Sequence, residues 1–301
     1  MRSLLFAVGL PLWLALFAAG APFAASDVEA PAPLAKVAIV GASVSAGYGL
    51  DPSAAPALGE TSKVNLARIV DASIVGAHAM PIDQSDLMFF AAAKATAKRS
   101  VKAAVAAKPS LVVALDYVFW FGYGDGDPKQ RLERLADGLR VLESARCPVL
   151  LGDFPDFNGA KVDPMMLPPS SIPSKDVLAK LNAACRAWAQ GRENVIVVPV
   201  GELFRKLAAG ETLEVGGNAL GADARARLMQ RDGLHPTLEG TCALWALAVD
   251  AWLATKPPDV DASALLLELG PLAAKAGAAP DAAGASKSKP AQKLLESPAG
   301  G

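Results

Sequence analysis

Residues 36–43 read KVAIVGAS, an apolar and β-branched run that is followed by a glycine, an alanine and a serine. Four further short apolar runs lie along the chain, at residues 73–75, 111–115, 148–151 and 194–198. Continuous apolar runs of this length are typical of strands that are covered on both faces, as in a parallel sheet. Residues 36–43 therefore predict the first strand of such a sheet, with Ser43 on the loop at its exit.

Helical patterns separate most of these runs. The predicted helices span residues 84–107, 128–144, 174–190 and 237–254. Asp83, Pro128 and Ser174 favour the start of a helix, because their side chains suit the cap or the first turn. Strands that alternate with helices, joined by right-handed crossovers, predict a three-layer, doubly wound α/β/α domain. We expect a flavodoxin-like, mainly parallel sheet of five strands.

The amino-terminal residues 1–26 predict a secretory signal peptide. Arg2 is followed by an apolar stretch and then by small residues, the order in which such peptides are built. An uncleaved anchor helix is the alternative, because residues 4–25 are nearly long enough to span a bilayer. Pro11 and Pro22 interrupt this stretch and favour cleavage. We therefore expect export by a Sec-type route to the periplasm or the exterior.

The remainder of the chain divides into three parts by composition. Residues 27–35 form a linker, residues 36–256 form the folded domain, and residues 257–301 form a tail rich in Ala, Pro, Gly and Lys. The tail composition does not bury enough apolar surface to offset chain entropy, so we expect it to be mostly flexible. Residues 262–269 have the pattern of one short docked helix.

Charge and cysteine content exclude several classes of function. A formal net charge of −1 gives no basis for binding nucleic acid or an anionic membrane. Cys147, Cys185 and Cys242 are an odd number without metal-ligand spacing, so we expect buried, inert thiols, with one disulfide as the alternative. The sequence implies no metal and no organic cofactor, and it leaves the oligomeric state open.

The segment 232–236 reads DGLHP and carries the clearest candidate for chemistry. A carboxylate three residues before a histidine can fix one ring nitrogen and leave the other free to take a proton. In a doubly wound sheet, function gathers in the loops beyond the carboxyl ends of the strands. We therefore expect Asp232 and His235 to meet Ser43 there, the alternative being a local cap and turn before the last helix.

The segments 41–43 and 232–236 resemble the Gly-Asp-Ser and Asp-x-x-His motifs of the SGNH/GDSL hydrolase superfamily. The resemblance implies that Ser43 is the nucleophile, His235 the general base and Asp232 the group that orients the imidazole. It also implies an oxyanion hole made by the Ser43 amide and a second-block glycine. Gly76 is the candidate, and the equivalent position is open from Gly76 to Ile82 except for Pro81, which has no N–H. The implied activity is a serine esterase or deacylase that uses no cofactor. Its substrate would be a small-molecule, carbohydrate or lipid ester.

Two departures from the family pattern affect the oxyanion hole. Ala42 stands where the family has aspartate, a position outside the triad. After the third strand the family has an asparagine that donates to the oxyanion, whereas this chain reads LDYVF from residue 115. Loss of one such donor typically lowers turnover by about 10²–10³. Either Tyr117 substitutes, or Asp116 stays protonated, or the chain is a weak or inactive scaffold that serves as an exported binding protein.

Other features have competing interpretations. Ser45 is a rival nucleophile without a matching motif, and His78 has no partner motif, which favours a structural role. Residues 43–47 lack the first glycine of the α/β-hydrolase elbow, and residues 41–46 fail the dinucleotide-binding pattern. The aromatic, glycine-rich stretch 117–127 and the proline-rich stretch 155–173 either line a binding cleft or pack onto the core.

Overall fold

The protein is described by a computed structural model that covers residues 33–51, 63–257, 260 and 262–278. The predicted signal peptide, most of the predicted linker and the last part of the predicted tail lie outside the described residues. The strands are β1 (Val37–Ile39), β2 (Ile82–Asp83), β3 (Leu111–Ala114), β4 (Val149–Gly152), β5 (Val195–Val198), β6 (Leu213–Val215) and β7 (Asn218–Leu220). The α-helices are α1 (Leu66–Ser73), α2 (Ala93–Ala106), α3 (Phe119–Gly122), α4 (Pro128–Leu142), α5 (Lys175–Ala189), α6 (Val200–Ala209), α7 (Ala224–Leu228), α8 (Leu238–Leu253) and α9 (Leu269–Gly277).

The apolar runs form a parallel sheet in the order β2-β1-β3-β4-β5. Alternate residues of β1 enter different cores: Val37 and Ile39 pack with α1, α8 and α9, whereas Ala38 packs with α2, α4 and α5. Both faces of the sheet are thus covered by helices, which explains why the strands are apolar throughout. The predicted three-layer α/β/α fold with five parallel strands is confirmed.

Helix starts follow the capping residues in most cases. Asp127 and Gln130 form a reciprocal capping box at the start of α4, and Ser174 and Thr237 cap α5 and α8 through their hydroxyls. The predicted helix over 84–107 is shorter, because α2 begins at Ala93. Asp83 is therefore not its cap; it ends β2 and accepts hydrogen bonds from the amide and hydroxyl of Ser85.

The predicted second strand at residues 73–75 is wrong. These residues end α1 and continue into a loop, where Ile74 donates its amide to the carbonyl of Val70. The second strand of the sheet is β2, whose two residues pair with Ala38 and Ile39 of β1. An apolar β-branched pair at a helix end has the same sequence pattern as a short strand, although here only Ile74 is buried and Val75 is exposed.

The folded domain extends beyond the predicted boundary at residue 256. Helix α9 packs against α1 and α8 and buries Leu269, Leu272 and Ala276. The short docked helix expected at 262–269 is a 3₁₀ turn at Ala262–Ala264, and the α-helix follows it. The first part of the predicted flexible tail is therefore part of the core.

The cysteines of the described domain carry free thiols. Cys185 and Cys242 are buried and Cys147 is partly buried, as expected for packing residues. Burial raises the pKa of Cys185 and Cys242 to about 12.

Among the residues that the structure describes, no helix has the length and apolar character needed to cross a membrane.

Candidate active site

Ser43 lies on a tight turn immediately after β1. The amide of Ala46 donates to the carbonyl of Ala42 at 2.9 Å, and the amide of Tyr48 donates to the carbonyl of Ser43 at 2.9 Å. The amides of Ala42, Val44 and Ser45 all donate to the carboxylate of Asp116. Within the described residues the amide of Ser43 itself has no acceptor, so it is a free donor beside its own hydroxyl.

His235 lies on the loop that leads into α8. The carboxylate of Asp232 accepts the amides of Leu234 and His235 through Oδ1, at 2.9 and 3.0 Å. Its Oδ2 is 2.7 Å from Nδ1 of His235. These contacts fix the imidazole in one orientation and assign the proton of the neutral ring to Nδ1.

The other ring nitrogen of His235 reaches the serine. Nε2 of His235 is 2.9 Å from Oγ of Ser43, although the two residues are 192 positions apart in the chain. The His235 side chain is buried, and Ser43 is partly exposed at the mouth of a pocket. The structure thus brings together the three residues that the sequence singled out. Asp232, His235 and Ser43 form a continuous hydrogen-bonded chain from carboxylate to hydroxyl.

Gln230 and Tyr48 connect the turn that carries Ser43 to the loop that carries His235. The side-chain amide of Gln230 donates to the carbonyls of Tyr48 and Pro236, each at 2.8 Å. The ring of Tyr48 packs on the imidazole of His235 with centroids 4.4 Å apart. Neither residue belongs to a motif, so the sequence did not point to them.

The proline-rich stretch 155–173 contacts the backbone around Asp232. The amide of Asp163 donates to the carbonyl of Asp232 at 2.9 Å. Gly233 has a φ of +70°, and a Cβ there would lie 2.0 Å from the carbonyl oxygen of Lys161. This glycine is thus required by both the turn and the close approach of the neighbouring loop.

The hydrogen bonds around Asp232 stabilise its charged form. Burial alone raises the pKa of this carboxyl, but the bonds from the His235 ring and from the amides of His235 and Leu234 outweigh it. The net effect holds the pKa of Asp232 below its ordinary value of 3.8. A carboxylate that is ionised at neutral pH favours a positive charge on the imidazole.

A narrow, mainly apolar pocket opens beside Ser43 and His235. Its apolar walls come from the strand exits, α6 and the 155–173 loop, and include Leu115, Val118, Phe119, Phe157, Phe204 and Leu234. The carboxyl of Asp153 also lines it and accepts the amide of Gly201 at 2.7 Å, and burial raises its pKa. The site thus combines a polar reacting edge with an apolar recess.

Gly76 is not part of this site. It lies on the loop between α1 and β2, where its carbonyl contacts Nδ1 of His78. The same loop bonds to the residues that precede β1, through the amide of Ala79 and the carbonyl of Ala35 at 2.9 Å. Gly76 is therefore at the amino end of the sheet, opposite Ser43, and its assignment to the oxyanion hole is wrong. The error stems from the misplaced second strand.

The residues proposed to replace the family's asparagine point elsewhere. Tyr117 is fully buried, and its hydroxyl donates to the carbonyl of Gly138 at 2.9 Å, away from Ser43. Asp116 lies under the serine turn and accepts the three amides described above. It also accepts the hydroxyl of the buried Ser45 at 2.6 Å, which removes Ser45 as a rival nucleophile.

The aromatic stretch 117–127 has both of the expected roles. Phe121 and Tyr123 are buried with Tyr117 in the core between the sheet and α4. Phe119 and Val118 instead line the pocket beside Ser43. In the 155–173 stretch, Pro155 and Phe157 line the same pocket. Packing and cleft-lining are thus divided between neighbouring residues of each loop.

Among the described residues, no group of three or more His, Cys, Asp or Glu side chains is arranged to hold a metal ion. No protein-family model matches the chain. No curated protein sequence matches it either.

Three of the solved structures that are similar to this chain are TesA, a lipase/acylhydrolase and a GDSL-like lipase. TesA is 22% identical, with 75% of this chain and 99% of that chain covered and a TM-score of 0.42. A lipase/acylhydrolase from Enterococcus faecalis is 18% identical, with 73% and 95% covered and a TM-score of 0.45. A GDSL-like lipase from Bacteroides thetaiotaomicron is 13% identical, with 74% and 88% covered and a TM-score of 0.41. The likeness to all three structures is distant in sequence.

Proposed function

We propose that this chain is a divergent SGNH/GDSL hydrolase, an exported serine esterase or deacylase that works through an acyl-enzyme on Ser43. The observation that carries the proposal is the hydrogen-bonded chain from Asp232 through His235 to the hydroxyl of Ser43, at 2.7 and 2.9 Å. Those distances are within the reach expected of a nucleophile, its base and the group that orients the base.

Acylation begins with attack of Ser43 Oγ on the ester carbonyl carbon. Nε2 of His235 takes the hydroxyl proton, and Asp232 stabilises the resulting imidazolium. The oxygen of the tetrahedral intermediate accepts the free amide of Ser43, whose neighbours Ala42 and Val44 are already bonded. Collapse breaks the bond to the leaving oxygen, which receives the proton from Nε2 and departs as the alcohol.

Deacylation repeats these steps with water. His235 removes a proton from a water molecule as its oxygen attacks the acyl carbon of the ester on Ser43. The second tetrahedral intermediate collapses, the proton returns to Ser43 Oγ, and the carboxylic acid leaves. The free enzyme is regenerated, and the chain needs no other reactant.

The pocket supports a small or medium, uncharged acyl group. Its walls are mainly apolar, so burial of an aliphatic chain is favourable by about 0.8 kcal/mol per methylene. The same apolar walls disfavour an anionic acyl group, because moving a charge out of water into an apolar recess is costly. The alcohol part of the ester would extend outward past the exposed side of Ser43.

An active-site-directed fluorophosphonate tests the proposal. We expect labelling of the wild type, loss of labelling in Ser43→Ala, and strongly reduced labelling in His235→Ala. His78→Ala is the matched control, because the other histidine of the chain contacts Asp71 far from Ser43. Activity that is independent of Ser43 and sensitive to a metal chelator would contradict the mechanism.

One observation favours a second candidate, an exported binding protein with little or no turnover. At the third strand exit Asp116 stands in place of an amide side chain, so a side-chain oxyanion donor is missing there. Three results together would support the binding protein. The protein would bind ester ligands in the pocket, would not be labelled by fluorophosphonate, and would not hydrolyse p-nitrophenyl esters.

Export is a separate part of the proposal and rests on residues 1–26. Sequencing of the mature amino terminus, after expression with a Sec-competent host, tests it. A periplasmic or secreted protein whose first residue follows a cleavage point between Ala18 and Ser26 is the expected result. A full-length, membrane-associated product would support the anchor alternative.

A further inference from the structure

Asp116 has a largely buried carboxyl that is not part of the hydrogen-bonded series Asp232–His235–Ser43. It follows β3, and β3 pairs directly with β1, so the exits of these two strands lie side by side. Ser43 leaves one exit and Asp116 leaves the other. The side chain of Asp116 therefore reaches the underside of the turn that carries Ser43.

The carboxylate binds that turn through both oxygens. Oδ1 accepts the amide of Ala42 at 3.0 Å and the hydroxyl of Ser45 at 2.6 Å. Oδ2 accepts the amides of Val44 and Ser45 at 2.9 and 3.2 Å. The residues on both sides of Ser43 are thus bonded to Asp116, while within the described residues the Ser43 amide has no acceptor and its hydroxyl contacts His235.

Gly41 makes this contact sterically feasible. A Cβ at this position would lie 2.1 Å from Oδ1 of Asp116 and 2.3 Å from Oγ of Ser45. Both contacts are impossibly short, so any side chain at position 41 would push the carboxylate away from the turn. Gly41 and Asp116 are therefore two parts of one arrangement.

The hydrogen-bond donors of the turn favour the charged form of the Asp116 carboxyl, and burial opposes it. Three of its partners are backbone amides, which are donors alone, and a protonated carboxyl would give up an acceptor position among them. Burial is the largest effect and leaves the pKa of Asp116 above its ordinary value of 3.8, while the hydrogen bonds from Ser45, Ala42 and Val44 act in the opposite direction. Charge-assisted bonds of this kind are stronger than bonds between neutral groups.

We propose that Asp116 is a positioning residue that holds the turn over residues 42–45, so that the hydroxyl of Ser43 points at His235 and its amide stays free for the oxyanion. The proposal rests on the proposed function. It links the two departures from the family pattern: Ala42 replaces the family's aspartate, and a carboxylate is present instead at Asp116, next to the neighbouring strand.

Asp116→Asn is the central test. An asparagine has one acceptor oxygen, and its amino group would face either the Ala42 amide or the amides of Val44 and Ser45. At least one amide of the turn then loses its acceptor. Because small misplacements of a reacting group cost about 10²-fold in rate, we expect kcat on a p-nitrophenyl ester to fall by about that factor. KM should change little, because asparagine has nearly the shape of aspartate and the apolar walls of the pocket are untouched.

Two further variants break the same contact in different ways. Gly41→Ala displaces the carboxylate from the other side and should reproduce the loss of kcat. Ser45→Ala removes one of four bonds and should have the smallest effect. Tyr117→Phe is the matched control, because it deletes the bond from the adjacent residue to Gly138 and should lower the melting temperature without lowering kcat.

Hydrogen exchange of the amides of residues 42–45 examines the anchor without turnover. Faster exchange in Asp116→Asn than in Tyr117→Phe supports the proposal, and equal exchange in Asp116→Asn and wild type overturns it. A wild-type kcat in Asp116→Asn also overturns it, as does a loss of kcat that Tyr117→Phe shares. Fluorophosphonate labelling of wild type at Ser43 decides the proposed function separately, so the two failures are distinct.

Discussion

Each of the two histidines in this chain lies beside an aspartate, and the two pairs differ in the group that the second ring nitrogen contacts. His78 is 3.2 Å from Asp71, and its other ring nitrogen contacts the carbonyl of Gly76. His235 is 2.7 Å from Asp232, and its other ring nitrogen contacts the hydroxyl of Ser43. The first pair ends at a backbone carbonyl and is structural. The second ends at a group that can be activated as a nucleophile.

Asp232→Asn should lower kcat by about 10³–10⁴ while KM stays close to its wild-type value. The amide cannot stabilise the imidazolium, and its amino group would favour the wrong ring tautomer at Nδ1. Steady-state kinetics on a p-nitrophenyl ester measures the effect. Asp71→Asn is the matched control and should leave both constants unchanged. Equal losses in the two variants would show that the effect is one of folding.

The same substitution should reveal a pH-dependent contribution to stability. The pKa of Asp232 is lowered in the folded state, so its ionisation stabilises the fold at pH values above the ordinary pKa of 3.8. This contribution is lost as pH falls through the lower, folded pKa. We expect the difference in melting temperature between wild type and Asp232→Asn to be constant from pH 7 to about pH 5 and to shrink below about pH 4. A difference that grows on acidification would contradict the sign.

At this scale the sequence identified the residues whose spacing is local or whose motif is specific. Asp232 and His235 are three positions apart, so their contact is nearly guaranteed by the turn, and Ser43 follows a strand. Gln230, Tyr48 and the role of Asp116 depend on contacts across more than seventy positions. Long-range side-chain contacts leave no periodic signal, and a structure is needed to find them.

Among the elements, the strands that were predicted well are those with four or five apolar residues in a row. β3, β4 and β5 lie within a residue of their expected limits, because helices cover both faces of the sheet and make these strands apolar along their length. β2 is two residues long and carries Asp83, so it has no such pattern. It exists because it pairs with β1 at the edge of the sheet. That tertiary contact could not be inferred from residues 73–83 alone.

Helix α6 contributes the side chain that limits the size of the pocket. Phe204 lines the pocket and packs edge-to-face on Phe157, with centroids 5.6 Å apart. Phe204→Ala should open the recess, so we expect the ratio of kcat/KM for octanoyl over acetyl esters to rise by about tenfold or more. A chain-length series of p-nitrophenyl esters measures it.

Leu203→Ala is the control on the same helix. Leu203 is buried in the core and does not line the pocket, so its truncation should cost about 2–4 kcal/mol of unfolding free energy. The chain-length ratio should stay at its wild-type value. An unchanged ratio in Phe204→Ala would mean that the acyl chain binds outside this pocket.

Across the whole molecule, the site is assembled where both cores meet the carboxyl edge of the sheet. The pocket is lined by Val200 and Leu244 from the core that contains α8, and by Phe157 and Leu234 from the opposite core. The packing of α8 therefore fixes the position of the loop that carries His235. Any element that stabilises α8 supports the site, even from a distance.

Helix α9 is such an element, although its composition predicted a flexible tail. Its residues are mostly Ala, Gly and Leu, and their pattern is too short to stand out from the residues that follow. Leu272 is fully buried against α1 and α8. We therefore expect Leu272→Ala to lower the free energy of unfolding by about 2–4 kcal/mol, as for other buried leucines.

Urea unfolding followed by tryptophan fluorescence measures this change, because Trp245 and Trp252 lie in α8 beside the helix. Lys275→Ala is the matched control, since Lys275 is exposed on α9 and its removal should alter stability by less than about 0.5 kcal/mol. Near the unfolding midpoint of Leu272→Ala, activity should fall together with fluorescence, because α8 carries the His235 loop. If Leu272→Ala is as stable as Lys275→Ala, then α9 does not contribute to the core, and the domain ends before it.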